Sequence, residues 1–115
     1  MENITINIVN TIGDVFGIEA EDGQKVFELI IKAFNDKKKV TLTFQNIEML
    51  TTAFLNTAVG QLYKEHSDEF IKANLKVSDI SDSGKVALKR VVDTAKLFYK
   101  DPEALKRSID EITED

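Results

Sequence analysis

The sequence contains no cysteine, a single histidine, one proline and five glycines among its 115 residues. Without cysteine the chain can form no disulfide, and it lacks the thiolate needed for an iron–sulfur cluster or a cysteine nucleophile. A metal site built from several imidazoles is excluded by the lone histidine. The apolar runs are too short for a transmembrane helix, so no membrane span is expected.

Net charge and hydrophobic content set further bounds. A net charge of -5 and a pI near 4.9 argue against a nucleic-acid partner and against an anionic membrane as partner. Hydrophobic residues make up 43% of the chain and supply enough material for one core. The N-terminal residues lack the positive region of a signal peptide, so we expect a soluble, cytoplasmic protein.

Hydrophobic periodicity predicts an α/β fold. Alternation predicts strands near residues 4–8, 15–18, 40–44 and 73–77, with the first two paired as a hairpin. Helical stripes follow at 21–35, at about 52–63 and at about 84–99. We predict one domain over residues 1–115, with a mixed central sheet of about four strands, helices packed on it, and a C-terminal helix over 101–115 that frays. Gly60 lies within the second of these helices, where its missing side chain would allow the close approach of a strand or a helix.

No catalytic or cofactor motif is present. The glycines form no phosphate-binding loop, although the helix starts at 51–52 and 81–83 could either hold an anion or simply cap their helices. Asp79 and Asp82 suit turn and capping roles better than a Mg²⁺ site, and His66 reads as a surface histidine. We therefore predict no catalytic residue, no metal, no cofactor and no enzymatic activity.

The most distinctive segment follows the strand at 40–44 and enters a helix, which is where open α/β folds place their sites. One interpretation is a capped helix start whose apolar residues pack inward. The other is a partner surface. Its members would be the polar and exposed-looking residues Glu48, Met49, Leu50, Thr51, Thr52, Asn56 and Thr57.

The segment 40–63 also resembles the STAS-like domain family of unknown function. The likeness is carried by a strand ending in Leu42-Thr43-Phe44, by Ile47, by a helix with Thr51, Phe54 and Leu55, and by Gly60-Gln61-Leu62. Residues 69–80 and 89–92 extend it, so that it covers roughly residues 13–100. The resemblance implies an α/β STAS-like fold and a non-enzymatic interaction module in bacterial signalling.

The STAS-like family is distantly similar to the anti-sigma-factor antagonists, in which a serine at the helix start is phosphorylated by a partner kinase. Ala53 occupies that serine position here, with Thr51 and Thr52 beside it. The resemblance implies a protein partner such as a kinase-like ATPase or an anti-sigma-type regulator. A small-molecule or nucleotide sensor that uses helix N-termini is the alternative.

The sequence leaves two possibilities for the oligomeric state. The C-terminal helix either covers the sheet or pairs with a second copy to give a homodimer. Phe98 and Tyr99 continue a helical stripe, which is more typical of a core than of a dimer surface.

Overall fold

The computed structural model describes residues 2–100, so the predicted terminal helix over 101–115 lies outside the described residues. The strands are β1 (Asn3–Asn7), β2 (Phe16–Gly17), β3 (Lys39–Thr43), β4 (Met49–Leu50) and β5 (Leu75–Ser78). The helices are α1 (Ile8–Ile12), α2 (Ala20–Asn35), α3 (Thr52–Ala58), α4 (Asp68–Asn74) and α5 (Asp82–Lys100), with a 3-10 helix at Gly60–Lys64. None of the helices within residues 2–100 combines the length and the apolar character needed to cross a membrane.

The α/β class is confirmed, and the strands lie in two parallel sheets. One has the order β1-β3-β5, with Ile6 opposite Leu42 and Leu42 opposite Val77. The other joins β2 to β4 in parallel, so the predicted hairpin between the first two strands is wrong. The sequence predicted one mixed sheet of about four strands, whereas the structure has parallel sheets of three and two strands.

Helix α2 shows how the sequence pattern becomes packing. Its apolar stripe buries Val26, Ile30, Ala33 and Phe34, as predicted. Acidic residues in its first turn and Lys32 in its last turn complement the helix dipole. The core combines this stripe with the inner face of the three-stranded sheet and with Phe54, Leu55 and Leu62, all of which are fully buried.

Two short helices lie in segments that were predicted to be strand or loop. The predicted strand over 4–8 ends at Asn7, because the Asn7 side chain accepts the Asn10 amide at 2.9 Å and caps α1. Gly13 ends α1 in the left-handed conformation, with φ of 73°. Ala73 was predicted to begin a strand but lies in α4, which Ser67 caps through the Phe70 amide.

Close packing of helices occurs at Gly23, which the sequence did not single out. A Cβ there would stand 2.5 Å from the Phe54 carbonyl oxygen of α3, so α2 and α3 can meet only because the side chain is missing. At Gly60, where close packing was predicted, the helix has given way to 3-10 geometry. A Cβ there would meet Val91 and Asn56 at ordinary contact distances of 3.5 and 3.4 Å.

Helix α5 buries Val91 and Ala95 but exposes much of its remaining apolar stripe. Val86 is 60% exposed and Phe98 is 44% exposed. Tyr99 is half-buried and meets Phe98 edge-on, with ring centroids 4.9 Å apart. The assignment of Phe98 to the core is therefore wrong.

Candidate interaction surface

The predicted surface begins with a tight turn at the carboxyl end of β3. The Ile47 amide donates to the Phe44 carbonyl at 3.1 Å, and Asn46 takes the left-handed conformation with φ of 67°. Asparagine tolerates this conformation better than most residues. The turn directs the chain to β4, which lies beside β2.

A hydrogen-bonded link fixes this turn to the neighbouring strand. The Thr43 hydroxyl, in a side chain only 6% exposed, donates to Asp79 Oδ2 at 2.8 Å and accepts the Gln45 amide at 3.2 Å. The Phe44 amide donates to the Ser78 carbonyl at 3.0 Å. The loops that follow β3 and β5 are therefore held together at the carboxyl edge of the sheet.

Thr51 has a structural role. Its hydroxyl donates to the Ile18 carbonyl at 2.6 Å and accepts the Phe54 amide at 3.2 Å. It thus caps α3 and also fixes α3 to the segment after β2. Phe54 and Leu55 are fully buried, so the interpretation of a capped helix start is correct for these three residues.

The remaining polar residues of the predicted surface lie on α3. Thr52, Ala53 and Asn56 are exposed. Thr57 is half-buried, and its hydroxyl donates to the Ala53 carbonyl at 3.0 Å. The free outer face of α3 therefore presents Thr52 and Asn56 rather than Thr51 and Thr57.

The first three predicted residues border a groove of about 200 Å³. Glu48, Met49 and Leu50 form one wall, and the other is formed by Ser81, just before α5, and by Ser83 and Ala87 in the first two turns of α5. Thr51, Thr52, Asn56 and Thr57 do not line this groove. The structure thus divides the predicted surface into a groove wall and the outer face of α3.

Phe16 is a surface residue that sequence reasoning missed. It is the register partner of Met49 in the two-stranded sheet, so their side chains project from the same face. Phe16 is 43% exposed and Met49 is 53% exposed. The predicted strand over 15–18 contained the signal, but only the pairing with β4 places Phe16 beside the groove wall.

The structure also shows the surroundings of the residues that were considered for metal or anion binding. Asp79 accepts the Thr43 hydroxyl, and the fully exposed Asp82 side chain has Oδ1 4.0 Å from Lys85 Nζ. Within residues 2–100, no three His, Asp or Glu side chains are arranged to hold a metal ion. At the start of α5 the Ser81 hydroxyl already accepts the Gly84 amide at 3.0 Å.

His66 is half-buried rather than a free surface histidine. Its ring stacks on Phe70 with centroids 4.8 Å apart and an interplanar angle of 16°. It also meets the buried Phe34 ring edge-on at 5.4 Å. The histidine is therefore part of an aromatic cluster that the sequence did not predict.

Residues 22–85, more than half of the chain, match the family described as a STAS-like domain of unknown function (DUF4325). This segment runs from the first turn of α2 to the first turn of α5, and it contains the whole predicted surface and all of the groove's lining except Ala87. The resemblance predicted from sequence is confirmed over these residues. No curated protein and no solved structure matches the chain significantly.

Proposed function

The chain belongs to the STAS-like domain family of unknown function, and from that premise we propose that it is a non-enzymatic regulatory module that acts by binding a protein partner. The proposal places the contact at the carboxyl edge of the sheet, on the groove wall at 48–50, on Phe16 and on the outer face of α3. The family description assigns no activity, so the support comes from the surface itself.

One observation carries the proposal: Phe16 and Met49 project side by side from the small sheet and are both about half exposed. Paired exposed apolar side chains at a sheet edge are more informative than scattered ones, because contiguous apolar patches mark interaction sites. Glu48, Thr52 and Asn56 provide polar exposed neighbours. An apolar centre with a polar rim is the usual anatomy of a protein–protein interface.

The resemblance to anti-sigma-factor antagonists suggests the class of partner, a kinase-like ATPase or an anti-sigma-type regulator in bacterial signalling. Thr52 is the hydroxyl that such a partner could reach, since it is exposed beside Ala53. The Thr51 hydroxyl is a poorer target for modification, because it already donates to the Ile18 carbonyl and accepts the Phe54 amide. A phosphate on Thr52 would add about two negative charges to the centre of the contact.

The decisive experiment uses proteins encoded beside the gene as baits and measures the affinity of any complex with surface variants. Met49→Asp and Thr52→Glu should each weaken binding about tenfold or more, because each would bury a charge at the interface. Leu29→Asp is the matched control, since Leu29 is also an exposed apolar residue, 42% exposed, but lies on α2. It should bind like the wild type.

Binding that survives both surface variants, or that is lost equally in Leu29→Asp, would contradict the proposed surface. The alternative sensor function is tested by thermal shift with a panel of nucleotides. A nucleotide present at a hundred times its Kd should stabilise the protein by about 2.7 kcal/mol. Such a shift without any protein partner would favour the sensor.

A further inference from the structure

Met49 carries the only sulfur atom among residues 2–100, because the sequence has no cysteine and its other methionine is Met1. The chain also lacks tryptophan. The methionine thioether is therefore the group in this protein that reacts most readily with a peroxide. Met49 is 53% exposed, so a peroxide in solution reaches its side chain in the folded protein.

The two residues of β4 point in opposite directions. Leu50 is half-buried and packs against the core. It also lies close to Gly17 of β2, where an added Cβ would stand 2.9 Å from the Leu50 Cδ2 atom. Because successive side chains of a strand point to opposite faces, Met49 points away from the core. Chemical change of the Met49 side chain therefore requires no opening of the fold.

The backbone on both sides of Met49 is anchored to β2. The Glu48 amide donates to the Val15 carbonyl at 2.8 Å, and the Thr51 amide donates to the Gly17 carbonyl at 3.0 Å. These hydrogen bonds involve no atom of the Met49 side chain. A modified Met49 therefore leaves the pairing of β2 with β4 in place.

We infer that Met49 is a reversible oxidation site, whose sulfoxide makes the groove wall polar without unfolding the domain. A lone pair on the Met49 sulfur attacks one oxygen of hydrogen peroxide, so that an S–O bond forms as the O–O bond breaks. The sulfur loses two electrons, and the peroxide is reduced to water. Methionine sulfoxide reductases reverse the change, with two thiols oxidised to a disulfide and the oxygen released as water.

The consequence for binding rests on the proposed function. Phe16 and Met49 project from the same face of the small sheet and form the apolar centre of the proposed contact. A sulfoxide oxygen at that centre loses water when a partner covers it, and this desolvation disfavours the complex. Oxidation should therefore weaken partner binding, and a bound partner should protect Met49 from peroxide.

The first test treats the folded full chain with hydrogen peroxide and locates the added oxygen by mass spectrometry. Trypsin cleaves after Lys39 and after Lys64, so Met49 lies in the peptide 40–64 and is separated from Met1. Met49 should be oxidised nearly as fast in the folded protein as in concentrated urea. Amide NMR shifts should be confined to residues 15–18, 47–51 and 83–87, and the melting temperature should change little.

The second test compares partner affinity before and after peroxide. Oxidation of the wild type should weaken binding about tenfold, which corresponds to about 1.4 kcal/mol. Met49→Leu is the matched control, since leucine has a similar volume and no sulfur. It should bind like the untreated wild type, with or without peroxide.

Three results would overturn the inference. They are resistance of Met49 to peroxide until the chain unfolds, loss of the fold on oxidation, and full partner affinity of the oxidised protein. Failure to find any partner would instead contradict the proposed function. The peptide mapping and the NMR shifts would still decide whether Met49 is an oxidation site.

Discussion

Thr43 and Asp79 join the carboxyl ends of two neighbouring strands, with Thr43 Oγ1 donating to Asp79 Oδ2 at 2.8 Å. Thr43 Oγ1 also accepts a hydrogen bond from the Gln45 amide at 3.2 Å. One buried hydroxyl thus positions both the turn that leads to β4 and the turn that leads to α5. Because these two turns support opposite walls of the groove, the shape of the groove depends on this link.

Replacing Thr43 by valine keeps the shape of the side chain and removes the hydroxyl. We expect the free energy of unfolding to fall by about 1–3 kcal/mol, because the Gln45 amide loses its partner in a part-buried place. Urea unfolding measures the change. Thr41→Val is the control on the same strand, since the Thr41 hydroxyl has only a long contact of 3.5 Å to Asn3, and it should change stability by less than about 0.5 kcal/mol.

Substitution by alanine should have opposite effects on stability at Gly23 and at Gly60. Gly23→Ala places a methyl group 2.5 Å from a backbone oxygen of α3, so α2 and α3 must separate, and a loss of about 1–3 kcal/mol is expected. Gly60→Ala meets only ordinary contacts and reduces the entropy of the unfolded chain, so it should be neutral or stabilising by up to about 1 kcal/mol. Thermal unfolding of the two variants distinguishes them. Equal losses would show that the close approach is not specific to Gly23.

Thr51 and Thr52 are adjacent but should have separate roles. Thr51→Ala removes the α3 cap and the bond to Ile18, so it should cost about 0.5–2 kcal/mol of stability. Thr52→Ala should leave stability nearly unchanged, since Thr52 is exposed. Circular dichroism at increasing temperature provides the comparison. A larger loss in Thr52→Ala than in Thr51→Ala would contradict the assignment of the cap.

Asp68 Oδ1 lies 3.1 Å from Lys96 Nζ, and this pairing is the main cause that lowers the pKa of the Asp68 carboxyl in the folded protein. Because the pKa of Asp68 is lowered in the folded state, its contribution to stability is complete above the ordinary value of 3.8 and is lost as the pH falls below that value through the lowered pKa. Lys96→Gln should raise the pKa of Asp68 toward 3.8, as followed by carboxyl ¹³C NMR.

Lys76→Gln is the matched control for this titration, because it removes an exposed lysine from β5. It should leave the titration of Asp68 unchanged. The assignment of Lys96 as the main cause would be contradicted by an Asp68 titration that is the same in Lys96→Gln and in the wild type.

Long elements could be predicted from the sequence because their periodicity is unambiguous. Helix α2 and strand β3 lie within one residue of their predicted bounds. The five-residue helix α1 was missed because Ile8 continues the alternation of Ile4 and Ile6, and only the Asn7 cap shows where the strand ends. Likewise Ala73, Leu75 and Val77 alternate across the boundary between α4 and β5.

The residues of the candidate partner surface could be predicted from the sequence only in part. The partner surface lies mostly within one continuous segment, so its residues could be named before the structure, although Phe16 joins it only through strand pairing. One cavity, by contrast, is lined by Tyr63, Asp68 and Lys96, which come from three separate elements. No local pattern links these residues, and His66 gave no sign of its stacking on Phe70.

The parallel strands determine how the chain can reach its fold. Register partners such as Asn3 and Lys39, Val40 and Leu75, or Phe16 and Met49 are 33–36 positions apart in the sequence. No two strands among residues 2–100 are joined by a hairpin, so no strand pair can form by closing a short loop. Each strand pair can form only after a long loop has closed, and the entropic cost of closing that loop comes before the contacts that offset it. We therefore expect slow folding for a chain of this size.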